Sequence, residues 1–90
     1  MEFWVVIEKG KHSYGAYCPD LPGCVAASLT VDSVIKDMRK ALKMHLEMMV
    51  KDGQEIPTPA PDAREQAAAL LKRGDMLVRM DVPVKALAIA

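Results

Sequence analysis

The sequence predicts an α+β domain: a small antiparallel sheet in the order β-β-β-α-(α)-β, with its helices packed on one face. Three observations carry this. Phe3-Trp4-Val5-Val6-Ile7 is an unbroken β-branched and aromatic run. Apolar residues recur at helical spacing from Val31 to Met49. Met76 to Val82 alternates apolar and polar residues. Strands, then helices, then a returning strand suit a sheet covered by helices.

The first strand stops at Glu8-Lys9-Gly10, and Lys9-Gly10-Lys11 is a polar hairpin turn in which Gly10 can take positive φ. The second strand is expected from about His12 to Cys18, with Tyr14, Ala16 and Cys18 on one face and Gly15 and Tyr17 on the other. Asp20-Leu21-Pro22-Gly23 is turn chemistry, because proline presets φ and glycine follows it. Cys24 to Ala27 makes a short third strand.

Thr30 is a helix cap: its side-chain oxygen can accept a free amide of the first turn, and Asp32 suits the positive end of the helix dipole. Val31, Val34, Ile35, Met38, Leu42, His45, Leu46 and Met49 share one face, and Gly53 is a plausible stop after Lys51. Ile56-Pro57-Thr58-Pro59 cannot continue a helix and is expected to run extended. Asp62 to Lys72 is alanine-rich and reads as a short second helix, capped by Asp62 and closed near Gly74. Met76 to Val82 is the fourth strand.

Ninety residues are expected to form one domain, residues 1–90, with a core small enough that partner chains would help bury it. Twelve basic and twelve acidic residues give no basic surplus, so a dominant nucleic-acid footprint is not expected. No apolar run approaches a membrane span. The first ten residues lack the basic start of a signal peptide. Two cysteines with seven methionines fit a reducing compartment, so the expected location is cytoplasmic.

No catalytic motif stands out. Cys18 and Cys24 lie six positions apart, without the close ligand pairs of structural zinc, and the histidines are His12 and His45 alone. A disulfide between them is geometrically conceivable but does not suit the cytoplasm. Two small buried hydrophobes is the simpler reading. His45 sits in the apolar stripe, with Glu47 pointing elsewhere, which favours packing over catalysis. Met44 and Met48 border the stripe. The carboxylates Glu2, Glu8, Asp20, Asp32 and Asp37 are scattered, and no phosphate loop, serine elbow or HExxH is present. Neither a metal nor a cofactor is expected.

Residues 14–26, "YGAYCPDLPGCVA", followed by a threonine-capped amphipathic helix and then by "KALKMHLEMMVKDGQEIPTP", resemble the HicB antitoxin family. The resemblance covers roughly residues 3–59. It implies a partly degraded ribonuclease H-like fold. It also implies a non-enzymatic partner: such proteins bind and neutralise a small HicA-type toxin, an mRNA-cleaving ribonuclease, by covering its active site. Many relatives add a C-terminal DNA-binding domain that represses their operon. Here the sequence stops at Ala90, so none is expected and direct DNA binding by this chain alone is not. Ser28-Leu29-Thr30 keeps only the threonine of the family's Gly-Asp-Thr, and Val31-Asp32-Ser33-Val34 is less acidic than usual there.

The expected partner surface is Glu8, Tyr17, Asp20, Leu21, Pro22 and Gly23, on a turn stiffened by Pro19, Pro22, Gly23 and Cys24. A constrained loop loses little entropy on binding, and acidic groups suit a basic partner. Two readings compete with the antitoxin. One is a stand-alone homo-oligomeric domain without a toxin; a dimer or larger assembly, paired through the last strand and the tail at 84–90, is expected under this reading and the antitoxin reading alike. The other is a metal-dependent ribonuclease H-type nuclease remnant.

Overall fold

The structure is a computed structural model, and it describes residues 1–83. β1 (Glu2–Lys9), β2 (Tyr14–Tyr17), β3 (Val25–Ser28), α1 (Val31–Lys51), α2 (Ala63–Ala68) and β4 (Met76–Asp81) follow one another in the expected order. The four strands form one antiparallel sheet in the spatial order β3-β2-β1-β4. The apolar first strand is therefore central, and its first six residues pair with the last strand, from Glu2 opposite Asp81 to Ile7 opposite Met76. The 84–90 tail lies outside the described residues.

The hairpin after β1 differs from the expected tight turn. Gly10 N–H donates to Ser13 O at 2.8 Å, and Gly10 does not have positive φ. Glycine is needed for a different reason: a Cβ there would lie 2.9 Å from the Ser13 carbonyl oxygen. β2 is correspondingly shorter than expected, beginning at Tyr14.

α1 starts as predicted. Thr30 Oγ1 accepts Ser33 N–H at 3.1 Å, and Ser33 Oγ accepts Thr30 N–H at 3.3 Å, a reciprocal cap with serine in place of the usual glutamate. Ser33 Oγ also hydrogen-bonds Ser28 Oγ, which ties the helix start to the end of β3. The helix ends at Gly53 (φ 72°), where Gln54 N–H reaches Met49 O and Gly53 N–H reaches Val50 O. That is a Schellman closure, open to glycine because it alone tolerates this φ without a Cβ clash.

The two sheet faces follow from strand alternation and register. Phe3, Val5 and Ile7, with Ala16 of β2 and Met80 of β4, point to one face. There they join Val34, Met38, Leu42 and Leu46 of α1 in a single buried cluster. Trp4 and Val6 point to the other face. Val6 is fully buried but does not belong to that cluster, and neither do the buried Ala63 and Ala67 of α2. The Arg64 guanidinium lies over the Trp4 ring, 5.7 Å from its centroid. α2 thus covers the opposite face from α1, and the expected layer with both helices on one side is corrected. The cause is the size of the side chains: two alanines bring α2 close enough to seal Val6, whereas the first face is already filled by α1.

His45 is also relocated. It is half-buried at the margin, while Leu42 and Leu46 occupy the centre of the helix-sheet contact.

Candidate functional site

α2 covers only part of its face. β2 and β3 continue beyond it, and their outward side chains are open to solvent. Across the strands, the register aligns Val25, Tyr17, Val6 and Leu77 in one row. The next row holds Ala27, Gly15 and Glu8. Burial falls along the first row from the sealed Val6, through the half-buried Tyr17, to Val25 at 62% exposure. Tyr17 is the one aromatic ring of this open half.

Two carboxylates lie to one side of it, on β1 and just before β4. Glu8 lies diagonally across from Tyr17 on β1, and Gly15, lacking a side chain, leaves Glu8 uncovered: even a Cβ at Gly15 would only reach ordinary contact with Glu8 Oε1, at 4.0 Å. Asp75, just before β4, is the second. Burial, then the charges of Glu8 and Asp75, push the Tyr17 hydroxyl above the usual phenol range, so it stays protonated and available as a donor.

Asp75 is held in place. Its Oδ1 accepts Lys9 N–H at 3.0 Å and its Oδ2 accepts Lys72 N–H at 2.9 Å. The amides of Lys72 and Lys9 hold its carboxyl below the usual carboxylate range. Sequence reading missed Asp75 because a residue between Gly74 and a strand reads as turn punctuation. What gives it away is the end of β1 folding back beside it, a long-range contact.

The turn from Cys18 to Cys24 consists of two linked β-turns. Leu21 N–H donates to Cys18 O and Cys24 N–H donates to Leu21 O, both at 3.0 Å. Gly23 takes φ 88°, with open space around it. Pro19, Pro22 and Gly23 are exposed and Asp20 is half-buried, as a presented loop requires. Leu21 is not part of that surface. It is 1% exposed and packs in the main core with Cys18 and Cys24. The partner-facing expectation for its side chain is corrected: shared by both turns, Leu21 anchors the loop while its neighbours point out.

Both cysteines are free and buried. Burial raises both thiols, Cys18 to about 11, so neither is a reactive thiolate near neutral pH. Among the described residues, no group of three or more His, Cys, Asp or Glu side chains is placed to hold a metal ion. No described helix is long and apolar enough to cross a membrane.

An aromatic donor with two carboxylates to one side, beside a proline-constrained loop and an apolar edge, is suited to recognition. It offers an anchor with anionic groups beside it for a basic protein surface.

A family described as the HicB_like antitoxin of a bacterial toxin-antitoxin system matches residues 3–87. An uncharacterised 14.9 kDa protein of Haemophilus phage HP1 is 33% identical over 61 residues, which is 68% of this chain and 46% of the phage protein. The chain thus spans about half the length of that relative. The N-terminal domain of the Burkholderia pseudomallei antitoxin HicB superimposes with a TM-score of 0.76 at 27% identity, covering 92% of this chain and 99% of that one. A chain of the HicA3 and HicB3 toxin-antitoxin complex gives a TM-score of 0.71 at 25% identity, over 92% and 99% of the respective chains.

Proposed function

The chain belongs to the HicB-like antitoxin family, and from that premise we propose that it is a cytoplasmic protein-interaction module that binds and neutralises a small HicA-type, mRNA-cleaving toxin. The observation that carries this reading is Tyr17 on the uncovered half of the sheet, with Glu8 on the neighbouring strand and Asp75 beyond it on the same side. A toxin that grips RNA must carry cationic surface. Glu8, Asp75 and Asp20 complement such a surface, and Tyr17 supplies the anchor beside them. The likeness to a chain of a toxin-antitoxin complex supports the same partner class. Pro22 and Gly23 complete the surface as fixed backbone, with Leu21 holding the loop from beneath. The protein's role is to occupy and block; chemistry stays with the toxin.

The test is a titration of this chain against a catalytically silenced HicA-type toxin. Tyr17→Ala is expected to weaken binding by about 30-fold, the loss of a hot-spot aromatic of about 2 kcal/mol. Glu8→Lys combined with Asp20→Arg should slow association and remove its salt dependence. Unchanged affinity in both variants, with folding intact, would move the interface elsewhere. A Leu21 substitution is unsuitable here, since it would report on folding. The nuclease alternative predicts chelator-sensitive RNA cleavage by the purified chain alone; that result would replace the antitoxin reading.

A further inference from the structure

The proline-bracketed loop is closed at its base by two thiols. Tyr17 opposite Val25 is the last ladder pair of β2 and β3. One step further along the same register, Cys18 stands opposite Cys24, and Cys18 N–H donates to Cys24 O at 3.4 Å. Opposed residues of an antiparallel pair share a face, and both cysteines belong to the buried cluster under α1. Both are free, and they are the only cysteines of the chain. Toxin binding uses neither.

We infer that Cys18 and Cys24 form a reversible redox site: on oxidation they join in a disulfide that closes residues 18–24 into one ring and locks the loop from Pro19 to Gly23.

The backbone already meets the geometric demand. A hydrogen-bonded pair across antiparallel strands holds its Cα atoms about 5.5 Å apart, inside the range of about 4.4–6.8 Å that a disulfide spans. The pair lies just past the ladder, at the mouth of the loop, so the sulfur atoms can approach without a slip of register. Leu21 N–H bonded to Cys18 O and Cys24 N–H bonded to Leu21 O hold the two ends of the loop together. Burial is the main cause that raises the Cys18 thiol, and the charge of Cys24 is among the lesser ones, so the two sulfur atoms lie within electrostatic reach of each other.

The oxidant is a small disulfide of the glutathione type. The thiolate of one cysteine attacks one of its sulfur atoms, forming a mixed disulfide and releasing one glutathione thiolate. The thiolate of the other cysteine attacks the protein-bound sulfur, forming the Cys18–Cys24 bond and releasing the second glutathione. Two electrons pass from the cysteines to glutathione, and the two protons lost by the thiols are taken up by the two leaving thiolates. The first step is slow near neutral pH, because both thiols are buried and raised, and it quickens as pH rises. The second step is intramolecular between facing residues, so the mixed disulfide does not accumulate. Reducing surroundings keep the pair as two thiols; an excess of oxidant closes the ring. The site does not rest on the toxin assignment.

The test uses the whole chain, incubated with oxidised glutathione at pH about 8.5 until its mass stops changing, then alkylated in denaturant and weighed. The expected product is a monomer lighter by two hydrogens, with no alkyl group and no retained glutathione. Cleavage on the N-terminal side of Asp20 should leave the Cys18 and Cys24 fragments joined until a reductant is added. The thermal midpoint should rise by about 10 °C on oxidation and return on reduction, as a ring of this size implies. Cys18→Ala and Cys24→Ala should each abolish that rise; if either variant fails to fold, the masses of the wild-type fragments decide. A lasting glutathione adduct, a cross-link between two copies, two alkylated thiols at the end point, an unmoved midpoint, or a rise that survives in a single variant would each overturn the proposal.

Discussion

The two faces of one sheet show how the same strands serve two purposes. On the first, Phe3, Val5, Ile7 and Met80 meet the long stripe of α1, and large side chains interlock without polar interruption. On the second, the six residues of α2 seal Val6 with two alanines, and the remainder stays open, with Val25, Tyr17, Ala27 and Glu8 on it. The first face is committed to the core, and much of the second is left open to solvent. In a chain of ninety residues, one helix is enough to supply the core, and the other face need not be closed.

This contrast can be broken first at its strongest point. Leu42→Ala, beneath α1, should cost about 2–5 kcal/mol through lost burial and the cavity left behind. Leu21→Ala should fall in the same range although it lies in a proline-rich loop, because its side chain belongs to the first face. Both are read from urea midpoints at constant slope. A loop-like effect at Leu21, below about 0.5 kcal/mol, would contradict its placement.

On the second face the space is thin. Ala67→Leu cannot fit between α2 and β1, and overpacking should cost about 1–3 kcal/mol while lifting the Trp4 ring from Arg64. Trp4 fluorescence gives the second readout. If Ala67→Leu changed stability but left the Trp4 signal untouched, α2 would not lie where it is described.

Thr30→Ala sharpens the comparison more gently. It removes the cap that starts α1, and a loss of about 1 kcal/mol is expected. Tyr17 and its neighbours, remote from the cap, should be unaffected.

The smallest effect concerns acid. Asp75 has a lowered pKa in the folded chain, so its contribution is present above the ordinary carboxylate value of about 4 and is lost as pH falls through its lower folded value. Comparing urea midpoints at pH about 6 and about 3, Asp75→Asn should show a shallower acid loss than the wild type. Equal slopes would remove Asp75 from the set of groups that tie β1 to β4. The cysteines act in the opposite direction: Cys18 is raised to about 11, so the stability tied to its neutral thiol is lost as pH rises from about 8.5 toward that value.

Much of this was legible in the residues. Thr30, the α1 stripe and Gly53 are local signals, and local signals survive folding because capping needs only neighbouring atoms. The Cys18–Cys24 turn was legible for the same reason. The face chosen by α2 was not: six alanine-rich residues carry too weak a stripe to declare a side, and the choice depends on how little room Val6 leaves. Leu21 was misjudged because proline, glycine and aspartate around it signal exposure, while its burial depends on a helix ten residues further on. Glu8 and Tyr17 were named from the sequence, but their meeting depends on register, and Asp75 joins them only when the first and last strands pair.

That last pairing has a consequence for the timing of synthesis. The central strand is made first, yet its partner β4 is among the last described residues to be translated. Until β4 leaves the ribosome, one side of β1 has no ladder to complete, and contacts of such long sequence separation form slowly. The β1–β4 ladder should therefore close late, after the β1–β2–β3 pairing and α1 that need only earlier residues.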